Sequence, residues 1–405
     1  MLAGLAVGLC FLTKVETFLA AAAASAVMLA PVARLRQWRA LGFFVVAGIA
    51  PVSASVLLVG LHGTLGAWPS VLAGQVAELP FYLAGMGLDR PMERTLELLV
   101  AAGMWALALA PAAAVSWFAR ATRGPTVPAV VAGALVAVCL VFRDRIPWAD
   151  ALRPLPLFAG AAACGLFAAR RRAGPKSPWA PALAFAVLGL VLLSKMFLYT
   201  RVAHYGFALA LPAMLLVVTT LVGWLPAWLD EHGARGDALR AGALALLAVF
   251  AVEHVATTSA WLARKTEIVG AGRDRFRSDA RGAFVNDAVA RVTELGAATM
   301  VALPEGIGIN YLARIPNPTP YINFMPPEEI LFGDSAWTEA FQTSPPDVVL
   351  VVPKDTSEYG RGAFGEGYGR GLAAWVASSY LPVATIRREG VPFEIWILAR
   401  AGPGP

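Results

Sequence analysis

The chain has 405 residues, of which 58% are hydrophobic and 15% charged, and its mean hydropathy is +0.63. Soluble domains carry about 25% charged residues, so this composition excludes an ordinary soluble protein and indicates an integral membrane protein. The net charge of +6 does not indicate nucleic-acid binding, because residues 264–405 hold 14 Lys+Arg against 16 Asp+Glu, and the basic excess lies in short loops beside apolar segments.

Apolar segments recur along residues 1–263 and predict about nine membrane spans, the first of them short for a complete span of about 20 residues. They cover residues 2–12, 18–33, 41–61, 96–118, 127–142, 155–169, 179–199, 205–228 and 241–262. Basic loops on alternate connections are predicted to be cytoplasmic by the positive-inside rule; they are 34–39, 120–123, 170–176 and the mixed loop 231–240. Residues 264–405 are then predicted to lie outside the cytoplasm.

Residues 264–405 predict a small α/β domain. Helical spacing of apolar residues predicts helices over 282–295 and 372–380, and short apolar or alternating runs predict strands at 299–303, 347–352 and 392–400. Residues 264–282 lack apolar periodicity and are expected to form a connecting segment.

Lys14 and Glu16 interrupt the apolar sequence GLCFLTKVETFLA near the beginning of the chain. One interpretation is a tight turn between two membrane helices, with a lysine that extends to the lipid headgroups and has no further role. The other is a functional charge at the membrane boundary, where a fixed cation would hold the phosphate of a lipid carrier. The spacing alone does not separate the two.

A second group of polar residues follows the apolar run 179–199. Lys195 lies near the end of that run, and Arg201, His204 and Tyr205 precede the next one. Anchoring at the membrane interface accounts for such residues in many proteins. Arg would also suit bidentate binding of phosphate, whereas His204 could cap a helix or bind a headgroup.

The segment 303–329 is rich in Pro, Asn and Tyr and is typical of a surface loop made rigid by proline. Alternatively it could cover a membrane cavity and present Glu305, Asn310 or Tyr311 to a sugar or acceptor. The glycines of 358–371 do not have the spacing of a nucleotide-binding loop. We expect no cofactor; a lone histidine and scattered cysteines give no metal-ligand pattern, and the need for a divalent metal stays open.

The segments GLCFLTKVETFLA, KMFLYTRVAHYGFALALPA, LPEGIGINYLARIPNPTPYINFMPPEE and PPDVVLVVPKDTSEYGRGAFGEGYG resemble bacterial membrane glycosyltransferases of the GT-C class. Within this class they are similar to family 39, which includes protein mannosyltransferases and the aminoarabinose transferase of lipid A. The resemblance implies a GT-C-like helical membrane domain over 1–263 and an extracytoplasmic α/β domain over 264–405, in the bacterial cytoplasmic membrane.

The resemblance also implies an activity: transfer of a sugar from a polyprenyl-phosphate donor to a glycan, lipid or protein acceptor outside the cytoplasmic membrane. It places Lys14, Arg201, His204 and Tyr205 near the donor phosphate, and we add Lys195 to this set. Glu16, which is less regular in the class, is a further candidate to face the substrate. The catalytic aspartate of such enzymes precedes the LTK segment, so we expect it upstream of Met1. The chain is then expected to be an N-terminally truncated fragment that is inactive alone.

Two alternatives from other functional classes remain at this stage. One is a transporter or a non-catalytic lipid-binding membrane protein, which would be expected to show internal repeats and broken helices at mid-membrane. The other is a membrane anchor for the outer domain. An anchor needs only one or two spans, fewer than the nine or so that the sequence predicts.

Overall fold

A computed structural model describes residues 1–34, 37–61, 83, 85–118, 124–174, 177–201, 206–356 and 359–401 of the chain. Two compact units are present among these residues, one extending to Ala256 and the other beginning at Thr257. The first is helical and the second is α/β, and each is described separately below.

The first unit consists of helices. In chain order they are α1 (Leu2–Thr13), α2 (Val15–Arg34), α3 (Trp38–Leu61), α4 (Pro91–Phe118), α5 (Thr126–Val141), α6 (Leu155–Ala173), α7 (Ala180–Leu193), α8 (Gly206–Thr219), α9 (Leu225–Glu231) and α10 (Gly236–Ala263). A π-helical turn, Thr220–Trp224, joins α8 to α9, and 3₁₀ turns lie at Arg143–Arg145, Trp148–Asp150 and Ser194–Met196.

Five stretches of helix in the described part of the chain are long and apolar enough to cross a membrane, which makes this a multi-pass membrane protein. They are Trp38–Leu58, Pro91–Phe118, Trp148–Ala173, Gly206–Glu231 and Gly236–Ala263. The expected count of about nine spans is therefore too high by this criterion. The other four apolar runs form helices whose apolar stretches are shorter: Leu2–Thr13, Glu16–Ala30, Thr126–Val141 and Ala180–Met196. At 1.5 Å per residue these stretches extend about 18 to 26 Å, against a hydrocarbon core of about 30 Å.

Glycines allow α1 to pack directly against α3. A Cβ atom on Gly4 would lie 2.0 Å from the carbonyl oxygen of Phe44, and one on Gly8 would lie 2.1 Å from that of Gly48. Small residues spaced four apart are typical of closely packed membrane helices. Because Gly4 meets Phe44 and Gly8 meets Gly48, α1 and α3 run in the same direction, and the intervening helix α2 runs back between them.

The second unit contains two short sheets and five helices among the described residues. Its elements are β1 (Glu267–Val269), β2 (Phe276–Ser278), α11 (Arg281–Glu294), β3 (Met300–Leu303), α12 (Ile307–Ala313), α13 (Pro326–Phe332), α14 (Asp334–Thr343), β4 (Val348–Val351), α15 (Arg370–Ser379), β5 (Tyr380–Arg387) and β6 (Glu394–Arg400).

The larger sheet has the strand order β3-β4-β6-β5, with β3 and β4 parallel and the other two pairs antiparallel. Side chains alternate between its faces, so Met300 and Leu350 pack with Phe284 of α11 on one face. On the other face, Val301 and Val349 pack with α14 and α15. Helices thus cover both faces of the sheet.

Three parts of the second unit differ from the sequence prediction. Residues 264–282 are not only a connection, since β1 and β2 pair antiparallel within them. The segment 303–329 contains α12 and the beginning of α13 rather than loop alone. The strand β5 is absent from the sequence prediction; its Pro382, a residue unfavourable in strands, lies at a register shift of this edge strand.

Tyr380 gives the second unit a pH-dependent stability at alkaline pH. Its hydroxyl donates to the carbonyl oxygen of Pro346 at 2.7 Å, and burial raises the pKa of Tyr380 to about 12. A tyrosine in the unfolded chain has a pKa of about 10. Between these values the folded state keeps a proton that the unfolded state loses, so stability falls as pH rises from 10 to 12.

We expect Tyr380→Phe to cost about 1 kcal/mol at pH 8 through the lost hydrogen bond, and to lessen the fall in stability above pH 10 by up to about 1.4 kcal/mol per pH unit. Urea unfolding of the protein at several pH values measures both effects. Tyr311→Phe is the control for the pH dependence, because it also loses a hydroxyl hydrogen bond, to Asp274, but at a 56% exposed position. Parallel pH profiles for wild type and Tyr380→Phe would contradict the prediction.

Candidate functional site

Lys14 is the single residue between α1 and α2. Its backbone is extended, with φ −154° and ψ 136°, and its amide donates to the carbonyl oxygen of Cys10 at 3.1 Å. Phe11 and Phe18 meet across the break with ring centroids 5.1 Å apart. The interruption that the sequence places at Lys14 is therefore a tight turn between two helices, and its side chain is exposed.

Glu16 and Lys195, which belong to separate groups in the sequence, form an ion pair. Lys195 Nζ donates to Glu16 Oε1, across 179 positions of the chain. The Glu16 and Lys195 side chains are 24% and 34% exposed, so the pair is partly screened from solvent. It joins the first turn of α2 to the 3₁₀ turn after α7, which brings two of the predicted site residues together.

Three arginines surround the ring of Tyr199, four residues after Lys195. The guanidinium carbon lies 4.1 Å from the ring centroid for Arg94, 4.9 Å for Arg201 and 5.0 Å for Arg153. Such distances allow cation–π attraction. Each arginine comes from a different part of the first unit: the first turn of α4, the chain after α7 and the connection before α6.

Carboxylates hold two of these arginines in place. Arg153 is 6% exposed; its Nη1 donates to Glu97 Oε2 and its Nε to Asp150 Oδ1 at 2.8 Å. Arg94 Nη1 donates to the same Glu97 oxygen at 3.1 Å. Among the described residues no carboxylate pairs with Arg201, and the buried Nε of Arg94 has no hydrogen-bond partner.

We name the residues Glu16, Arg94, Glu97, Asp150, Arg153, Lys195, Tyr199 and Arg201 the polar cluster. It holds four cations and three carboxylates. Asp89 also acts electrostatically on Arg94 and Lys14 on Glu16, so cations exceed carboxylates by one with or without these two neighbours. Like charges this close repel unless counter-charges offset them, and an anion arriving beside Arg201 would supply the missing one. A guanidinium can bind carboxylate or phosphate oxygens bidentately. The arrangement is thus suited to binding an anionic group.

A turn over residues 86–90 packs on the cluster from one side. The amide of Leu198 donates to the carbonyl oxygen of Met86 at 2.9 Å. Gly87 has φ +81°, and a Cβ atom there would lie 3.0 Å from the Cβ of Leu198 and 3.2 Å from that of Tyr199. Glycine is therefore required for the turn to pack this closely, and the contact fixes the backbone that carries Tyr199.

Other predicted site residues lie in the second unit, where each has a partner. Glu305 Oε2 pairs with Lys354 Nζ at 2.6 Å. Asn310 is 5% exposed and its amide nitrogen donates to the carbonyls of Met300 and Ile315. Tyr311 donates its hydroxyl proton to Asp274 at 2.7 Å. These contacts stabilise the fold without any substrate. The predicted His204 and Tyr205 lie outside the described residues.

Met1 lies directly before α1, and its carbonyl oxygen accepts from the amide of Leu5 at 3.0 Å. The residue is therefore part of the first helical turn, and its side chain is 76% exposed. The catalytic aspartate that the resemblance implies is expected upstream of Met1, so the structure does not test it. Its existence stays a prediction, and we assign no catalytic residue within the described ranges.

The sequence patterns do not single out Arg94, Glu97, Asp150, Arg153 or Tyr199. A signal for them exists, because Arg94 and Glu97 lie in the first turns of one span and Asp150 and Arg153 at the beginning of another. Both ends are predicted to lie on the same side of the membrane. No group of three or more metal-ligating side chains occurs within the described ranges.

Compared with protein-family models, curated proteins and solved structures, the chain has no match.

Proposed function

We propose that the chain binds the phosphate of a polyprenyl-phosphate-linked sugar and acts in transferring that sugar to an acceptor, as a GT-C-class glycosyltransferase of the bacterial cytoplasmic membrane. The observation that carries the proposal is the excess of positive charge in the polar cluster, with the exposed Arg201 beside the paired Arg94 and Arg153. The sequence resemblance adds the substrate class. Residues 264–401 would then lie outside the cytoplasm and help to select a glycan, lipid or protein acceptor.

The cluster would act on the leaving group of such a reaction. When the acceptor oxygen bonds to the anomeric carbon, the bond from that carbon to the phosphate oxygen breaks and leaves negative charge on the phosphate. Fixed cations that face this charge stabilise the transition state more than the ground state. Arg201 and Lys195 would contact the phosphate, while Glu97 and Asp150 keep Arg153 in position. The resemblance assigns removal of the acceptor proton to the aspartate expected upstream of Met1.

The first test is binding of a short polyprenyl phosphate. We expect the purified protein in detergent to bind farnesyl phosphate more tightly than farnesol, and Arg201→Gln to weaken farnesyl phosphate binding about tenfold or more, as for loss of a charge-assisted hydrogen bond. Binding of farnesol should not change. Isothermal titration calorimetry measures both ligands.

Arg90→Gln is the matched control, because Arg90 lies beside the beginning of α4, is 65% exposed and pairs with Glu93 at 3.7 Å. Like Arg201→Gln, it removes one positive charge from an exposed position between helices. Equal affinities for Arg201→Gln and Arg90→Gln would overturn the phosphate site.

Release of free polyprenyl phosphate from a sugar-loaded donor separates transfer from binding alone. Binding without release would favour a lipid-binding protein over a transferase.

A further inference from the structure

An apolar cavity lies along α6 in the first unit, apart from the polar cluster. Its volume is about 590 Å³, and α6 lines it together with α4, the end of α8, the π-helical turn and α9. Phe158, Gly165 and Ala169 of α6 face Val217, Trp224 and Trp228 across it. Of its lining side chains only Thr220 and Glu231 carry oxygen atoms, so the cavity suits a hydrocarbon chain.

The length of the cavity matches one leaflet of a bilayer. Its lining on α6 runs from Phe158 to Ala169, which at 1.5 Å per residue is about 16 Å. Half of a hydrocarbon core of about 30 Å is about 15 Å. Tryptophans lie toward one end, where the rings of Trp179 and Trp224 meet edge to face at 5.8 Å. Tryptophan favours the boundary between lipid and water, so this end is expected to lie at a membrane surface.

Two opposite charges stand at that end. The residues of α6 that line the cavity follow a helical stripe, and Arg172 continues the stripe one turn beyond Ala169. Glu231 itself lines the cavity. Since α6 and α8 are separated by the reversing helix α7, they run in the same direction. Arg172 and Glu231 lie about four turns beyond Phe158 and Val217, respectively, which both line the cavity, so we expect both charges at the same end of it.

Neighbouring charged residues already have partners. Arg170 donates to the carbonyl oxygen of Val27 at 3.2 Å, Arg171 lies 4.5 Å from the ring centroid of Phe167, and Asp230 accepts from the amide of Gly236 at 2.8 Å. Within the described ranges Arg172 and Glu231 form no ion pair. Glu231 lines the cavity, and Arg172 lies on α6 one turn beyond its lining, so both charges are available to the headgroup of a lipid whose chain fills the cavity.

We propose that this cavity binds a phospholipid with a primary ammonium headgroup, of the phosphatidylethanolamine type. An acyl chain fills the cavity, the phosphate contacts Arg172, and the ammonium donates to the carboxylate of Glu231 and lies near the tryptophan rings. A purely anionic headgroup would face the Glu231 carboxylate. The site is separate from the polar cluster, because Arg153 precedes α6 and Arg172 lies near its other end, about 28 Å away.

Native mass spectrometry of the purified protein with added phosphatidylethanolamine or phosphatidylglycerol tests the site. We expect the wild type to retain phosphatidylethanolamine in preference. Arg172→Gln should lower its retention about threefold to fivefold, the scale of one exposed charge contact. Arg171→Gln removes the same charge from the adjacent position and should have no effect. Glu231→Gln should abolish the preference between the two lipids.

Filling the cavity gives a second, charge-independent test. A Cβ atom at Gly165 or Gly160 would meet no atom within 4 Å, and only Gly165 lines the cavity. Gly165→Leu should lower retention of both lipids, whereas Gly160→Leu should not. Equal retention in Gly165→Leu and Gly160→Leu, or in Arg172→Gln and Arg171→Gln, would overturn the proposal. Displacement of the phospholipid by farnesyl phosphate in every variant would assign the cavity to a polyprenyl chain and also overturn it.

Discussion

Replacing Arg153 by alanine is expected to lower the free energy of unfolding of the first unit by about 2 kcal/mol and to abolish binding of farnesyl phosphate. The buried guanidinium bonds both Glu97 and Asp150 and contacts the ring of Tyr199. Its loss removes that counter-charge from Asp150 and leaves Glu97 paired with Arg94 alone. Breaking a fully buried pair costs about 3–5 kcal/mol, and the carboxylates here are 35% and 43% exposed, so solvent screening reduces the cost.

The loss of stability and the loss of binding can be separated. Arg153→Met with Glu97→Gln removes the arginine and one of its carboxylates together, so we expect most of the stability to return while binding stays weak. Thermal unfolding in detergent measures stability, and calorimetry measures binding. Arg145→Ala is the matched control, because Arg145 is exposed and forms no salt bridge within the described residues. Equal unfolding temperatures for Arg153→Ala and Arg145→Ala would contradict the cluster's structural role.

The sequence predicts those parts of the fold that depend on local pattern. Apolar runs mark every helix of the first unit from α1 to α8, and buried apolar quartets mark β3 and β4. The hairpin of β1 and β2 has no such pattern, since each strand has three residues. It is stabilised by α11, whose Asn286 donates its amide proton to Ile268 and accepts from Gly270. Such tertiary contacts are not visible in a local window.

The same limit applies to the polar cluster. The sequence suggests Lys14, Glu16, Lys195 and Arg201 because each interrupts or borders an apolar run. It does not show that Glu16 pairs with Lys195, because 179 positions separate them. Nor does it show that Arg94 and Arg153 meet at Tyr199, since this depends on how α4, α6 and α7 pack. Helix packing in membranes depends on small shape differences that a count of apolar residues does not contain.

Replacing Trp337 by alanine is expected to destabilise the second unit by about 3–5 kcal/mol, the range for large aromatic side chains removed from a core. Trp337 is 0% exposed, and its ring centroid lies 5.3 Å from that of Phe324. It packs in the cluster that covers the Val301 and Val349 face of the sheet. The cavity left by alanine would remove contacts from α14, β3 and β4 together, so exchange of the β3 and β4 amide protons should accelerate.

Trp337→Phe should destabilise the second unit less than Trp337→Ala, because it also removes the buried indole N–H donor. Within the described residues the buried Nε1 of Trp337 has no hydrogen-bond partner, and an unsatisfied buried donor costs about 1–3 kcal/mol. Trp337→Phe loses packing but also removes this donor, so the two effects oppose each other and we expect a net change within about 1 kcal/mol. Hydrogen exchange of the whole protein measures both variants, with Trp396→Ala, at a 37% exposed position, as the control. If Trp337→Phe destabilises the sheet as much as Trp337→Ala, the indole N–H has a partner in solution and this account of the core is wrong.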